Sequence, residues 1–181
     1  MDMYKLKWTR LQNEIFRFLS IKSGSSLNQR EIAAALHVSP TAVSKAVIGL
    51  EKEGLIRINK NPRMNLTLIE LNRDNPKAIE LKRVENLKMI YESGMVDFLE
   101  ERFPGTAIIL FGSYSYGEDT TQSDIDIAVI GAKQKEINLE NFEKLLEKEI
   151  NINFYEDFKG IHKNLMSNIL NGIILVGRIS L

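Results

Sequence analysis

Residues 123–130, SDIDIAVI, alternate acid with isoleucine, and this constrains the chain more than any other stretch. Alternate residues of a strand share a face, so Asp124 and Asp126 project together while Ile125 and Ile127 point into a core. Like charges side by side repel, so a fold that keeps them there gains something in return. An apolar run, TAIILF, ends directly in Gly112-Ser113, and ten residues lie between Ser113 and Asp124.

The surrounding pattern sets the fold class. LENFEKLLEKE reads as a helix, ININFYE as a strand, IHKNLMSNIL as a helix and GIILVG as a last strand. Strands alternating with helices predict an α/β (α+β) domain built on a sheet of about four strands. Upstream, residues 76–103 start at Pro76 and read as a long helix with a break at Ser93-Gly94. Leu81, Val84, Leu87, Tyr91, Met95 and Leu99 are expected on its buried face.

The first part of the chain is organised differently. In WTRLQNEIFRFLS, Trp8, Leu11, Ile15, Phe18 and Leu19 fall at helical spacing. Asn28 followed by Glu31 marks a capping-box start for a second, short helix. Ser39-Pro40 caps and opens a third, whose stripe is Val43, Val47 and Leu50 and whose end is Gly54. LIRIN and LTLIEL then alternate as two strands around the turn KNPRM. Two modules follow, residues 1–73 and 74–181. The first holds twelve Lys/Arg against six Asp/Glu and the second twelve against eighteen, which suits modules with different partners.

Composition narrows the chemistry. With 44% hydrophobic and 27% charged residues the chain is of soluble globular type. It has no cysteine, which excludes disulfides, thiolate zinc sites and cysteine nucleophiles. MDMYKLKWTR lacks the apolar segment of a signal peptide, and AIILF and GIILVG are far too short to cross a bilayer. The expected setting is cytoplasmic, with no membrane partner. His37 and His162 have no ligand partner at useful spacing, so ordinary surface roles are expected for both.

Hard cations such as Mg²⁺ take oxygen ligands, often one or two carboxylates plus substrate phosphates. Glycine lets backbone N–H groups approach phosphate oxygens closely. Together, Gly112-Ser113 and the aspartate pair make a site for a metal–nucleotide complex. FGSY, Gly117-Glu118 and SDIDIAVI closely resemble the signature of the DNA polymerase β-like nucleotidyltransferases, above all their minimal prokaryotic members, over about residues 95–181. The resemblance implies transfer of a nucleotidyl group from an NTP to an acceptor hydroxyl with Mg²⁺ (or Mn²⁺). Asp124 and Asp126 would be the catalytic metal ligands; Gly112, Ser113, Tyr116 and Ser123 would contact the nucleotide. Tyr116 stands where that group usually has Arg or Lys, and a phenol supplies no positive charge. Asn151 and Asn153 occupy the strand where its third carboxylate is expected, and an amide cannot be a general base. Glu156 would face away from the site unless a bulge turns it.

REIAAALHVSPTAVSKAVIGLEKEGLI resembles winged helix-turn-helix transcription regulators over roughly the first 70 residues. In that geometry the N-terminal residues of the second helix of the pair meet the major groove. Thr41, Ser44 and Lys45 would reach bases or phosphates; Lys60 and Arg63 on the wing and Arg30 would meet the backbone. The modest basicity predicts weak, salt-sensitive DNA binding per monomer, with a homodimer needed for tight sites. Winged helices also serve as protein-docking modules, and that alternative stands. The sequence therefore suggests a Mg-dependent nucleotidyltransferase with a DNA-binding winged helix. The alternative is a catalytically weak nucleotide-sensing transcription regulator or antitoxin scaffold. Many relatives of the resembled type modify a partner toxin protein, so a protein acceptor is a further expectation.

Overall fold

The computed structural model describes residues 8–61 and 66–179. The chain divides into two compact units, Met1–Lys82 and Arg83–Leu181.

In the first unit, α1 (Arg10–Ile21) starts at a reciprocal Thr9–Gln12 capping box, and α2 (Gln29–Ala35) at the expected Asn28–Glu31 box. α3 (Pro40–Lys52) is capped by the Ser39 side chain accepting from Ala42 N–H, with Pro40 in the first turn. Each box satisfies backbone donors that a helix start leaves unpaired. β2 (Ile56–Asn61) and β3 (Leu66–Leu71) form the antiparallel wing. A two-residue β1 (Leu27–Asn28) adds to the far side of β3, giving the order β1-β3-β2. Phe16, Leu19, Ile32, Val47, Leu50 and Ile69 form the centre of the core, each at most 1% exposed. Burial of such side chains contributes about 1.5–3 kcal/mol apiece before chain entropy is counted. Trp8 packs on Phe16 with ring centroids 5.3 Å apart.

α4 (Pro76–Glu92) crosses the boundary between units, and α5 (Met95–Arg102) follows after Ser93-Gly94, the break expected from the sequence. The buried face of α4 differs from the expected one. Val84 and Tyr91 are exposed, while Lys82, Asn86, Met89 and Ile90 are buried. Two polar residues stand in the buried stripe, and apolar periodicity cannot register them.

The second unit is a four-stranded sheet ordered β6-β5-β4-β7. β4 spans Ala107–Phe111, β5 Ile125–Ile130, β6 Ile150–Tyr155 and β7 Ile173–Val176. β4 pairs antiparallel with both β5 and β7, whereas β5 and β6 run parallel, joined through α7 (Glu140–Leu146). Gly112-Ser113, expected as a turn, opens a five-residue helix, α6 (Gly112–Tyr116), directly at the end of β4. One sheet face carries Ile108, Leu110, Ile125, Ile127 and Val129, all fully buried. Phe154 on that face meets Phe103 edge-on at 5.2 Å. On the other face Ile109, Ala128 and Ile130 pack with Ile169 of α8 (Lys163–Leu170). Asp126 shares this second face with Ala128 and Ile130.

Candidate functional site

Register brings the acidic strand to the Gly-Ser helix. Phe111 pairs with Asp126, so Gly112 begins α6 directly beside the Asp126 carboxylate. Gly112 has φ +72°, and a Cβ placed there would lie 2.6 Å from Asp126 Oδ2. Both the left-handed backbone and the close approach demand glycine. α6 then closes on itself: the Ser115 hydroxyl donates to Gly112 O at 2.8 Å, and Gly117 ends it at φ +76°.

Asp124 and Asp126 are half-buried, and Ile125 and Ile127 are fully buried, as the alternation required. Burial first, and then the Asp124 charge, hold the Asp126 carboxyl above its ordinary value, while the Asn151 amide works against the shift. The parallel register sets Asn151 beside Asp126 and Asn153 beside Ala128, two residues further along. Asn151 thus occupies the position next to the acids, and its Nδ2 donates to Asp124 Oδ2 at 3.1 Å. Glu156 lies past β6, exposed, and pairs with Lys133 at 3.9 Å. Among the described residues no group of three or more His, Asp or Glu is placed to hold a metal ion.

The donor set nonetheless fits a hard divalent cation. The Asp124 and Asp126 carboxylates share one strand face and both lie within reach of the Asn151 amide, and a divalent cation would offset the charge that burial first and Asp124 second disfavour on Asp126. Asp124 and Asp126 would hold it, and the Asn151 carbonyl could serve as a neutral third ligand after its amide turns over.

Of the other expected nucleotide contacts, Ser113 and Tyr116 lie half-buried at the two ends of α6. The Ser123 hydroxyl accepts from Thr120 N–H at 3.0 Å, so it closes the loop before β5. A cleft of about 530 Å³ flanks Asp124, bounded by Gln122, Ser123, Glu143, Glu147 and Lys148.

Sequence reading missed the support behind this site. Lys148 and Asp119 form a buried ion pair, Nζ to Oδ2 3.3 Å, with side chains 3% and 1% exposed. Lys148 Nζ also donates to the carbonyls of Thr120 at 2.5 Å and Ser123 at 3.2 Å, and lies 5.9 Å from the Tyr114 ring centroid. Asn86 Nδ2 donates to Asp119 Oδ1 at 2.7 Å and to Tyr114 O at 2.9 Å. No local motif announces such a cluster, because its members are 29 and 33 residues apart in sequence.

In the first unit, Thr41 and Lys45 are exposed on α3, and Ser44 is half-buried. Ile48, 62% exposed, continues the Thr41–Lys45 line by one turn and was not anticipated. Arg30 and Lys60 are exposed, while Arg63 lies outside the described residues. His162 caps α8, its Nδ1 accepting from Asn164 N–H at 3.4 Å.

A three-helix unit with a β-wing, followed by a sheet joining a Gly-Ser helix to an Asp-x-Asp strand, defines a winged helix linked to a nucleotidyltransferase fold. Family comparison agrees on both halves: residues 14–63 match the MarR family and residues 92–176 the nucleotidyltransferase domain family. The chain thus joins a MarR-type winged helix to a nucleotidyltransferase-like domain. No curated protein matches it. Among solved structures, it is similar to the adhesin competence repressor AdcR from Streptococcus pyogenes, at 24% identity over 54% of this chain and 69% of that one, TM-score 0.42. It is also similar to the zinc-responsive MarR family member ZitR from Lactococcus lactis, at 24% identity over 57% and 68%, TM-score 0.40. A mutant MepR from a multidrug resistant S. aureus clinical isolate overlaps at 19% identity over 53% and 78%, TM-score 0.39.

Proposed function

We propose that this protein is a nucleotide-responsive DNA-binding regulator, whose second unit binds an NTP with a divalent cation and whose first unit binds DNA. The observation that carries this reading is Asn151. It stands beside Asp126 and donates to Asp124, where a transferase of the resembled type uses a carboxylate. Two acids suffice to hold a cation that neutralises phosphate charge. An amide takes no proton from an acceptor hydroxyl, so binding is retained and turnover is slow. When bound, the cation would supply charge neutralisation on the phosphate oxygens, while Gly112 permits backbone to approach them. In the first unit, exposed Thr41 and Lys45 on α3, with Arg30 and Lys60, form the DNA-facing surface.

A second reading, nucleotidyl transfer to an acceptor such as a partner protein, is favoured by the cleft beside Asp124, which has room for an acceptor group. One experiment separates the two. The protein is incubated with Mg²⁺ and α-labelled ATP, CTP, GTP or UTP, and duplex binding is measured in the same mixtures. A regulator changes its DNA affinity with nucleotide and leaves the label on free nucleotide. Label transferred to a macromolecule by wild type, and lost in Asp124→Ala/Asp126→Ala, selects the transferase.

A further inference from the structure

We infer that Lys148 is a positioning residue for the aspartate pair: its ammonium sets the loop that presents Asp124. The inference rests on the cation-binding reading of Asp124 and Asp126. The loop Gly117–Ser123 runs from the end of α6 to the residue before Asp124. Both of its ends are tied to one buried knot. At the far end, Lys148 Nζ holds Ser123 O at 3.2 Å and Thr120 O at 2.5 Å. Near its start, Asn86 reaches the same Asp119 that pairs with Lys148, and it also holds Tyr114 O of the preceding α6 at 2.9 Å. Lys148 comes two residues before β6, whose Asn151 touches Asp124 directly. The loop that leads into Asp124 is thus held by one residue of this segment, and the Asp124 carboxylate by another.

A buried ion pair is a costly means of stabilisation, and apolar replacements often match it. Its value lies in geometry. An ammonium offers three directed donors, and here two of them reach main-chain carbonyls that no apolar side chain could hold in place. Asp119 balances the charge, and Asn86 orients Asp119.

The test compares wild type, Lys148→Met, Asp119→Asn and the double variant in the full-length protein. It uses Mn²⁺ affinity by electron paramagnetic resonance, Tm, and hydrogen exchange of amides 118–124 without metal. Asp119→Asn keeps the Asn86 hydrogen bond and the ammonium's carbonyl contacts. It should lose Tm yet hold Mn²⁺ within about threefold of wild type. Lys148→Met should weaken Mn²⁺ binding about tenfold or more and speed loop exchange. The double variant removes both charges, so Tm should recover while Mn²⁺ affinity stays weak. Affinity that follows Tm across the set, or a folded double variant that binds Mn²⁺ like wild type, overturns the inference. Asp124→Ala/Asp126→Ala separates the two failures: if it binds Mn²⁺ as wild type does, the cation-binding reading itself is wrong.

Discussion

Asp126 concentrates the physics of the site in one side chain. Its folded-state pKa is raised by burial and by Asp124, so in the metal-free protein it binds its proton more tightly folded than unfolded. The resulting stability is fully present below the ordinary carboxylate pKa, about 4, and is lost as pH rises through the raised folded value. At neutral pH the charged pair is therefore a cost. Asp126→Asn is expected to raise the Tm of the metal-free protein at pH 7 and to abolish Mn²⁺ binding. The Tm gain should shrink toward zero near pH 4; thermal melts across pH check this, and a gain that grew with acidity would contradict the assignment. Asn151→Asp should do the reverse at pH 7, lowering the metal-free Tm through a third like charge and tightening Mn²⁺ by about tenfold. Gly112→Ala forces a Cβ into the left-handed region and against Asp126 Oδ2. The backbone part alone should cost about 1–2 kcal/mol, read by denaturant unfolding, with loss of nucleotide binding alongside.

At the scale of elements, what could be read from sequence follows from how local each signal is. Caps at Asn28 and Ser39, the break at Ser93-Gly94 and the alternation at Asp124–Ile127 are decided within a few residues, and the fold keeps them all. The two-residue β1 has no periodicity to detect and exists only because β3 lies beside it. α4 misleads because Lys82 and Asn86 take buried positions while Val84 and Tyr91 face outward. The tie between Lys148 and the loop before Asp124 depends on the parallel β5–β6 register, which no short stretch specifies. On α3, Thr41, Lys45 and Ile48 share an exposed line. If this line faces DNA, Lys45→Ala should weaken binding to mixed-sequence duplexes and reduce the slope of log K against log salt by about one. A slope and affinity equal to wild type would assign α3 to protein docking instead.

For the whole molecule, a surplus of basic residues in one unit and of acidic residues in the other fits a division of labour between polyanion and cation–nucleotide. If the second unit reports nucleotide to the first, saturating NTP with Mg²⁺ should change duplex affinity in wild type and leave Asp124→Ala/Asp126→Ala unaffected. By linkage, DNA must then change nucleotide affinity by the same factor. Calorimetric titration of the four NTPs, with and without Mg²⁺, tests the central claim most directly. The account predicts saturable, Mg²⁺-dependent binding of at least one NTP in wild type, absent from a folded Asp124→Ala/Asp126→Ala variant. Binding of equal strength in both proteins, or no Mg²⁺-dependent binding of any NTP, would contradict it.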